Sequence, residues 1–201
     1  MLVHLHPTHP QERLIRQTVD LLRGGGVIIY PTDTIYALGC DLRQPKAFEK
    51  ICRLKNIDPS KAQFSLICRD LSNLSDFAKN LDTPLFRFIK AHIPGPFTFI
   101  LPASKEVPKL MQSKKSTIGI RVPDHPICQQ LIGALGNPII STTLPGEWVE
   151  EYTDPVYMQE RFGKQVDAIL DGGIGGTEVS TIVDCTGPEP EITRQGAGVI
   201  R

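Results

Sequence analysis

The sequence predicts a single-domain sheet protein of the α/β or α+β class. Short apolar segments with the character of strands alternate along the chain with amphipathic segments at helical spacing. This alternation favours a sheet with flanking helices over a helix bundle or a β-sandwich. A chain of 201 residues buries one sizeable core, and no break in composition marks a second domain. We therefore assign residues 1–201 to one domain.

The first half of the chain predicts three helices and three strands. Gly24 ends the first helix, and the apolar run VIIY that follows the glycines is the first strand. The predicted helices cover 10–23, 45–55 and 82–92, and the predicted strands cover 27–30, 64–69 and 94–103.

The second half continues the alternation. A strand at 116–122 ends at Pro123, which has no N–H to donate to a sheet. A helix at 126–135 begins with a proline, a residue that helices favour in their first turn. The remaining elements are a strand at 137–142, a polar connection at 144–155 that is a candidate lid, a helix at 155–163, a strand at 166–171, a glycine loop at 172–176 and a strand at 180–186.

Composition predicts a soluble protein of a reducing compartment, the cytoplasm. No apolar run approaches the roughly 18 residues of a membrane span, and the N-terminus lacks the pattern of a signal peptide. The five cysteines are scattered and without CxxC spacing, so we expect reduced thiols and no structural zinc. The five histidines form no ligand motif, and no metal site is assigned.

The net charge of zero conceals an asymmetry along the chain. Residues 43–121 carry 15 Lys and Arg against 6 Asp and Glu, whereas residues 122–201 carry 4 against 12. One interpretation is that the middle third presents a basic surface to phosphate or nucleic acid. The other is a solvated mixture in which opposite charges interleave once the chain folds.

The most informative segment is PTDTIYALG at 31–39, directly after the first strand. It concentrates three hydroxyls and a carboxylate within five residues: Thr32, Asp33, Thr34 and Tyr36. Polar side chains at the mouth of a buried strand are typical of a binding site. A turn whose Thr and Asp side chains satisfy their own backbone explains them equally well.

Further polar elements stand at other strand ends. Arg121 lies in an apolar strand, where a buried arginine needs an anionic partner. That partner is either internal, Asp33 or Asp184, or a ligand carboxylate or phosphate. Ser180 follows the glycine loop, so its hydroxyl and nearby N–H groups could cradle phosphate, although the loop fits no nucleotide-binding pattern. No nucleophile motif is present, and no catalytic residue is assigned.

Together these elements resemble the YrdC/YciO family over nearly the whole chain. PTDTIYALG is similar to the family's PTET-type signature, and IRVPDHP at 120–126 to its arginine-proline segment. GPFTFIL at 95–101 and VSTIVD at 179–184 match two further family strands in the same order. The resemblance implies a twisted mixed sheet with flanking helices around a concave, basic cavity.

The resemblance also implies a chemistry and a set of residues. The family's threonylcarbamoyl-AMP synthases use L-threonine, bicarbonate and ATP with Mg²⁺, and their product feeds the t6A modification of tRNA. Double-stranded RNA binding is also attributed to the family. By position, the amino-acid side would be Thr34, Arg121 and Ser180, with Arg121 holding the carboxylate. The nucleotide side would be Lys55, Ser141, Thr143 and Arg194. Residues assigned to contact RNA or phosphate are Lys50, Arg53, Lys61, Lys114 and Lys115.

Two departures from the synthase pattern are most similar to the YciO branch. Ile57 stands where synthases carry the arginine of a Lys-x-Arg pair, and Pro145 ends the segment that is Ser-x-Asn in synthases. Neither side chain can donate a hydrogen bond to phosphate. We therefore predict retained binding of ATP and L-threonine with weak synthase activity. The alternative is a non-catalytic protein that keeps the cavity and binds double-stranded RNA or tRNA.

Overall fold

One mixed sheet runs through the molecule. The computed structural model describes residues 1–72, 74–109, 116–146 and 149–200. Within them the strands are β1 Leu2–His4, β2 Val27–Tyr30, β3 Ala37–Asp41, β4 Ser65–Ile67, β5 Phe97–Pro102, β6 Thr117–Arg121, β7 Ile139–Thr143, β8 Ala168–Asp171, β9 Thr181–Asp184 and β10 Glu191–Arg194. Their order across the sheet is β1-β8-β2-β3-β7-β4-β6-β5-β9-β10, with parallel and antiparallel pairs mixed. The predicted fold class, a mixed sheet with flanking helices, is confirmed.

Helices connect the strands. They are α1 Glu12–Arg23, α2 Pro45–Leu54, α3 Leu74–Phe77, α4 Thr83–Ala91, α5 Pro126–Leu135, α6 Glu150–Thr153 and α7 Pro155–Phe162, with a 3-10 helix at Pro59–Lys61. Proline lies in the first turn of α2, α4, α5 and α7, where its missing N–H sacrifices no helical hydrogen bond. In the described ranges no helix combines the length and the apolar character that crossing a membrane requires.

The helices cover the two faces of the sheet unequally. On one face α2, α4 and α7 pack on apolar side chains of β2 to β9 such as Val27, Leu66 and Phe99. On the other face α1 and α5 pack on β2, β7 and β8 through residues such as Ile28 and Ile139. Among the described residues, β5, β6 and β9 contribute no side chain to this second core. Over these three strands the second face is open, and it forms the floor of a cavity.

Three strands differ from the prediction. β1 was not predicted; it pairs with β8, Leu2 opposite Ile169. β3 begins in the last three residues of the PTDTIYALG segment and is buried along its whole length, so it lacks the alternation that identifies a half-buried strand. All four residues of β10 are exposed, so this strand also lacks the alternation of buried and exposed residues.

Candidate functional site

The six residues between β2 and β3 form a tight turn. Thr32 serves the backbone of this turn: its hydroxyl donates to the Ile35 carbonyl at 2.7 Å and accepts the Thr34 amide at 3.1 Å. Asp33 and Thr34 instead direct their side-chain oxygens to Arg121 of β6. The predicted self-satisfying turn is therefore confirmed for Thr32, whereas Asp33 and Thr34 connect the segment to Arg121.

Arg121, the last residue of β6, is buried among the oxygens of this turn. Its Nη2 donates to Thr34 Oγ1 at 2.7 Å, to Thr32 Oγ1 at 3.2 Å and to the Asp33 carboxylate. The second Asp33 oxygen accepts the Asp124 amide at 3.0 Å. The guanidinium therefore has an internal counter-ion that is itself held in place by the backbone.

The Nε–H donor of Arg121 lacks a hydrogen-bond acceptor in the described ranges. This N–H group is buried, and no described atom accepts the hydrogen. An unsatisfied buried donor costs free energy that a ligand oxygen would recover. Of the two internal partners that the sequence predicts, the structure pairs Arg121 with Asp33. Asp184 instead accepts the amide and the hydroxyl of Thr186, at 2.9 and 2.7 Å. The site therefore combines a neutralised guanidinium with a buried Nε–H group available for a ligand.

Ser180 is the centre of a second polar cluster. Its hydroxyl lies 2.9 Å from Thr98 Oγ1 and accepts Arg194 Nη2 at 3.2 Å. Its carbonyl accepts both Nη2 and Nε of Arg194, at 2.7 and 3.1 Å. Burial and the nearby positive charge of Arg121 lower the pKa of Arg194. Two guanidiniums close enough to repel each other favour an anion between or beside them.

The glycine loop at 172–176 is a packing element. Its amides donate to protein acceptors: Gly172 to the Tyr36 hydroxyl at 3.0 Å, Gly173 to the Asp171 carboxylate at 2.9 Å, Gly175 to the Thr153 carbonyl at 2.8 Å and Gly176 to the Thr34 carbonyl at 2.9 Å. These four N–H groups are already used, so the loop does not cradle phosphate as the sequence allowed. Its bond to Thr34 instead fixes the backbone of the PTDT turn.

Lys55 and the end of β7 form a third group. Lys55 is the C-cap of α2, and its Nζ donates to the carbonyl of Thr143 and, at 3.3 Å, to the hydroxyl of the same residue. Burial lowers the pKa of Lys55. Two residues earlier on β7, Ser141 Oγ accepts the Tyr30 hydroxyl at 2.7 Å. The structure thus joins Lys55 to Thr143, while Ser141 lies on the same strand.

A cavity of about 480 Å³ lies over the open half of the sheet. Small and hydroxylated side chains of β4, β5 and β6 form its floor: Ser65, Thr98, Thr117 and Gly119. A Cβ at Gly119 would lie 2.7 Å from Ser65 Oγ and 3.2 Å from Thr98 Cγ2, so glycine is what lets this floor remain low. Ser65 pairs with Ser141 across β4 and β7, so the Ser141 side chain lies on the same face of the sheet as this floor.

The two residues that depart from the synthase pattern follow the Lys55–Thr143 pair in sequence: Ile57 is two residues after Lys55, and Pro145 two residues after Thr143. Ile57 is half-buried against the main apolar core, and its amide donates to the Cys52 carbonyl at 2.9 Å. Pro145 lines a separate cleft of about 370 Å³ together with Leu54 and the buried Glu151. The isoleucine therefore contributes to packing at a position where an arginine would add positive charge.

The predicted RNA-contacting residues do not form one cluster. Lys61 lines the cavity and Arg53 is exposed on α2. Lys50 donates to Asp167 at 2.7 Å, and the same Asp167 oxygen accepts the amide of Val27 at the start of β2. That is the end of β2 opposite to the PTDT turn, roughly 13 Å away at the rise of a strand. Lys114 and Lys115 lie outside the described residues.

Sequence reasoning missed one side chain of the polar clusters, Thr98, whose hydroxyl lies 2.9 Å from Ser180 Oγ. Thr98 alternates with Phe97 and Phe99, which belong to the main core. In a strand this places its hydroxyl on the opposite face, so the alternation was the signal that could have identified it.

The chain is similar to known proteins along most of its length. A family model for Sua5, YciO and YrdC proteins, described as "Telomere recombination", matches residues 20–196. The chain is 46% identical to the YciO protein of Escherichia coli K12 over 98% of this chain and 96% of that protein. It is 34% identical to a threonylcarbamoyl-AMP synthase of Coxiella burnetii, over 83% of this chain and 89% of the synthase.

Solved structures give the same relationship. The crystal structure of E. coli YciO superposes with a TM-score of 0.92 at 44% identity, covering 100% of this chain and 98% of the other. P. abyssi Sua5 complexed with L-threonine superposes with a TM-score of 0.86 at 25% identity, covering 98% of this chain and 57% of Sua5. The fold, the four polar strand ends and these similarities lead to one conclusion: this chain is a member of the Sua5/YciO/YrdC family.

Proposed function

We propose that this chain binds L-threonine and ATP in the cavity over β5 and β6, and that it retains weak threonylcarbamoyl-AMP synthase activity whose product serves tRNA t6A modification. The observation that carries the proposal is the buried Arg121, whose Nε–H lacks an acceptor while its Nη2 is held by the PTDT turn. Further support comes from the relationship to synthases and to a Sua5 that binds L-threonine.

The amino acid is expected to lie between the two polar clusters. Arg121 would offer Nε–H to its carboxylate, since a charged donor facing a carboxylate forms one of the stronger hydrogen bonds in proteins. Ser180, oriented by Thr98 and Arg194, would offer its hydroxyl from the other cluster. Thr34 Oγ1, already bonded to Arg121, would contact the substrate from the turn.

The nucleotide is expected to occupy the side of the cavity nearer β7. Lys55, Ser141 and Thr143 would face its phosphates, and Arg194 would add positive charge from the amino-acid side. Mg²⁺ would enter as the ATP complex, because this ion keeps most of its waters and is commonly held by substrate phosphates with few protein ligands. In the described ranges no three or more His, Cys, Asp or Glu side chains group as metal ligands, which fits an ion carried by the nucleotide.

The reaction needs positioning and charge more than a protein nucleophile. L-Threonine and bicarbonate give the N-carbamate and water, a carbamate oxygen attacks the α-phosphorus of ATP, and the bond to the β-phosphate oxygen breaks to release pyrophosphate. Lys55 and Arg194 would offset the charge that develops on the phosphates. Ile57 and Pro145 supply no donor, so we expect a low rate.

The decisive experiment follows pyrophosphate and the acyl-adenylate with ATP, L-threonine, bicarbonate and Mg²⁺. We expect slow turnover by the natural chain and a roughly tenfold to hundredfold gain in Ile57→Arg/Pro145→Asn, the effect of restoring donors to a charged transition state. Val156→Arg, which adds the same charge at an exposed site of α7, is the control and should leave the rate unchanged. Turnover at the blank level in both chains would refute the synthase activity. No binding of ATP or L-threonine by calorimetry would refute the ligands.

Binding of RNA without catalysis is the second candidate. The charge excess of residues 43–121 and the exposed Lys61 at the cavity favour it. Phosphate contacts predict that affinity for double-stranded RNA falls steeply between about 50 and 200 mM salt. Absence of binding at the lower salt concentration would exclude this candidate.

A further inference from the structure

The buried phenol of Tyr30 crosses a neighbouring strand to reach Ser141. Tyr30 ends β2 and is fully buried, and its hydroxyl donates to Ser141 Oγ at 2.7 Å. Ser141 belongs to β7, and β3 lies between the two strands. The backbones of β2 and β7 are therefore two strand spacings apart, about 10 Å, and the tyrosine side chain with its hydrogen bond bridges that separation. Tyrosine is one of the few side chains long enough for this distance.

Gly39 of β3 makes the crossing sterically feasible. It pairs directly with Ser141 on β7 and with Ile28 on β2. A Cβ at Gly39 would lie 2.7 Å from Tyr30 Cε1 and 2.8 Å from Ile139 Cγ2. Real Cβ atoms do not approach heavy atoms so closely, so any larger residue would displace the ring. Glycine at this strand position thus leaves the space that the Tyr30 ring occupies.

The direction of the hydrogen bond determines what Ser141 can do. Burial strongly raises the pKa of the Tyr30 phenol, which keeps it protonated and able to donate at neutral pH. Ser141 Oγ is the acceptor, so its own hydrogen is directed elsewhere. No group in the described ranges accepts that hydrogen. Ser65, the partner of Ser141 across β4 and β7, lines the cavity, and side chains paired in this way leave the sheet on the same face, so the Ser141 hydroxyl lies on the face that carries the cavity.

We propose that Tyr30 is a positioning residue that fixes the Ser141 hydroxyl as a hydrogen-bond donor to a phosphate group in the cavity. The inference rests on the proposed function, in which Ser141 faces the nucleotide. A serine whose hydroxyl is free to rotate loses orientational entropy when it binds a ligand, and a preset donor avoids that loss. The role explains why a serine and a glycine pair on β7 and β3 while a tyrosine lies two residues along on the next strand, β2.

The test is a double-mutant cycle on the full chain with MgATP as the probe, measured by calorimetry. Tyr30→Phe keeps the ring and removes one hydroxyl. We expect it to weaken ATP affinity by about fivefold to tenfold, the size of one hydrogen bond. In a Ser141→Ala background the same change should leave affinity unaltered, because no hydroxyl remains to be positioned. The affinity for L-threonine should change little in either background.

Tyr36→Phe is the matched control. It also removes a buried phenol hydroxyl, one bonded to Gly172 and Gly173, and its effect on ATP affinity should be the same with and without Ser141. A Tyr30→Phe chain that binds ATP like the natural chain, or an effect that persists in Ser141→Ala, would overturn the role of Tyr30. Failure of the natural chain to bind ATP would instead overturn the nucleotide assignment, and with it this role.

Discussion

Arg121 and Asp33 form a buried ion pair in the wall of the site, with 9% and 10% of their side chains exposed. The guanidinium that we propose as the partner of a substrate carboxylate is thus already neutralised by a carboxylate of the same chain. A ligand that binds Arg121 meets a nearly neutral pair, and further positive charge must come from Arg194, whose lowered pKa reflects the nearby Arg121.

The pair should dominate the stability of this region. Arg121→Ala leaves Asp33 buried without a counter-charge, and we expect the free energy of unfolding to fall by about 3–5 kcal/mol. Arg121→Ala combined with Asp33→Asn should cost clearly less than the sum of the two single changes, since the orphaned charge is gone. Urea unfolding of the four chains measures this coupling. Additive losses would show that the two residues do not stabilise each other.

The sequence could predict most of this fold, and the reasons for its failures are physical. Helices such as α1 and α5 show their apolar faces in the sequence, and proline marks the start of four helices. β3 and β10 could not be recognised, because a strand buried on both faces and a strand exposed on both faces both lack alternation. Pairing with distant strands decides their conformation, and no local pattern contains that information.

The sequence could name candidate residues for the site but could not predict the hydrogen bonds among them. Family resemblance identified Thr34, Arg121 and Ser180, which the structure places in two neighbouring polar clusters. It could not tell that Asp33 would neutralise Arg121, because the two are 88 residues apart in the chain. It also could not predict that amides of the glycine loop donate hydrogen bonds to Tyr36 and Thr34.

The glycine loop should control the position of Thr34. A Cβ at Gly176 would lie 2.5 Å from the Thr34 carbonyl oxygen, so Gly176→Ala must push the turn away from Arg121. We expect a loss of roughly 1–3 kcal/mol in unfolding free energy, the usual cost of overpacking, and weaker L-threonine binding with ATP binding retained. Gly187→Ala is the control, since its nearest contact would be 3.8 Å away. Unchanged L-threonine affinity in a folded Gly176→Ala chain would contradict this prediction.

Protonation of His125 should destabilise the fold. Its Nδ1 is buried without a partner in the described ranges, and burial lowers the pKa of the ring, against the opposing effect of Asp33 and Asp124. The unfolded chain therefore binds the proton more readily than the folded one. The neutral ring therefore contributes its full share of the unfolding free energy above the unfolded pKa of about 6.5. That contribution is lost as the pH falls from there through the lower pKa of the folded state.

We therefore expect the unfolding free energy of the natural chain to fall more steeply from pH 7 to pH 5 than that of His125→Gln. Carboxylates contribute to both curves, so the difference between them isolates the histidine. Chemical unfolding at several pH values measures it. Parallel curves would show that His125 titrates alike in both states.

The floor of the cavity offers the most direct test of where the nucleotide binds. Gly119→Val would place methyl groups between Ser65 and Thr98, where even a Cβ lies within 2.7 Å of Ser65 Oγ. We expect ATP affinity to fall by about tenfold or more as the side chain fills the floor, with a stability loss of about 1–3 kcal/mol. Gly119→Ala should have a smaller effect, because the Ser65 hydroxyl can rotate away from a single methyl. Calorimetry with MgATP, alongside thermal unfolding to confirm a folded chain, measures both. If a folded Gly119→Val chain binds ATP like the natural protein, then the nucleotide does not contact this part of the cavity floor.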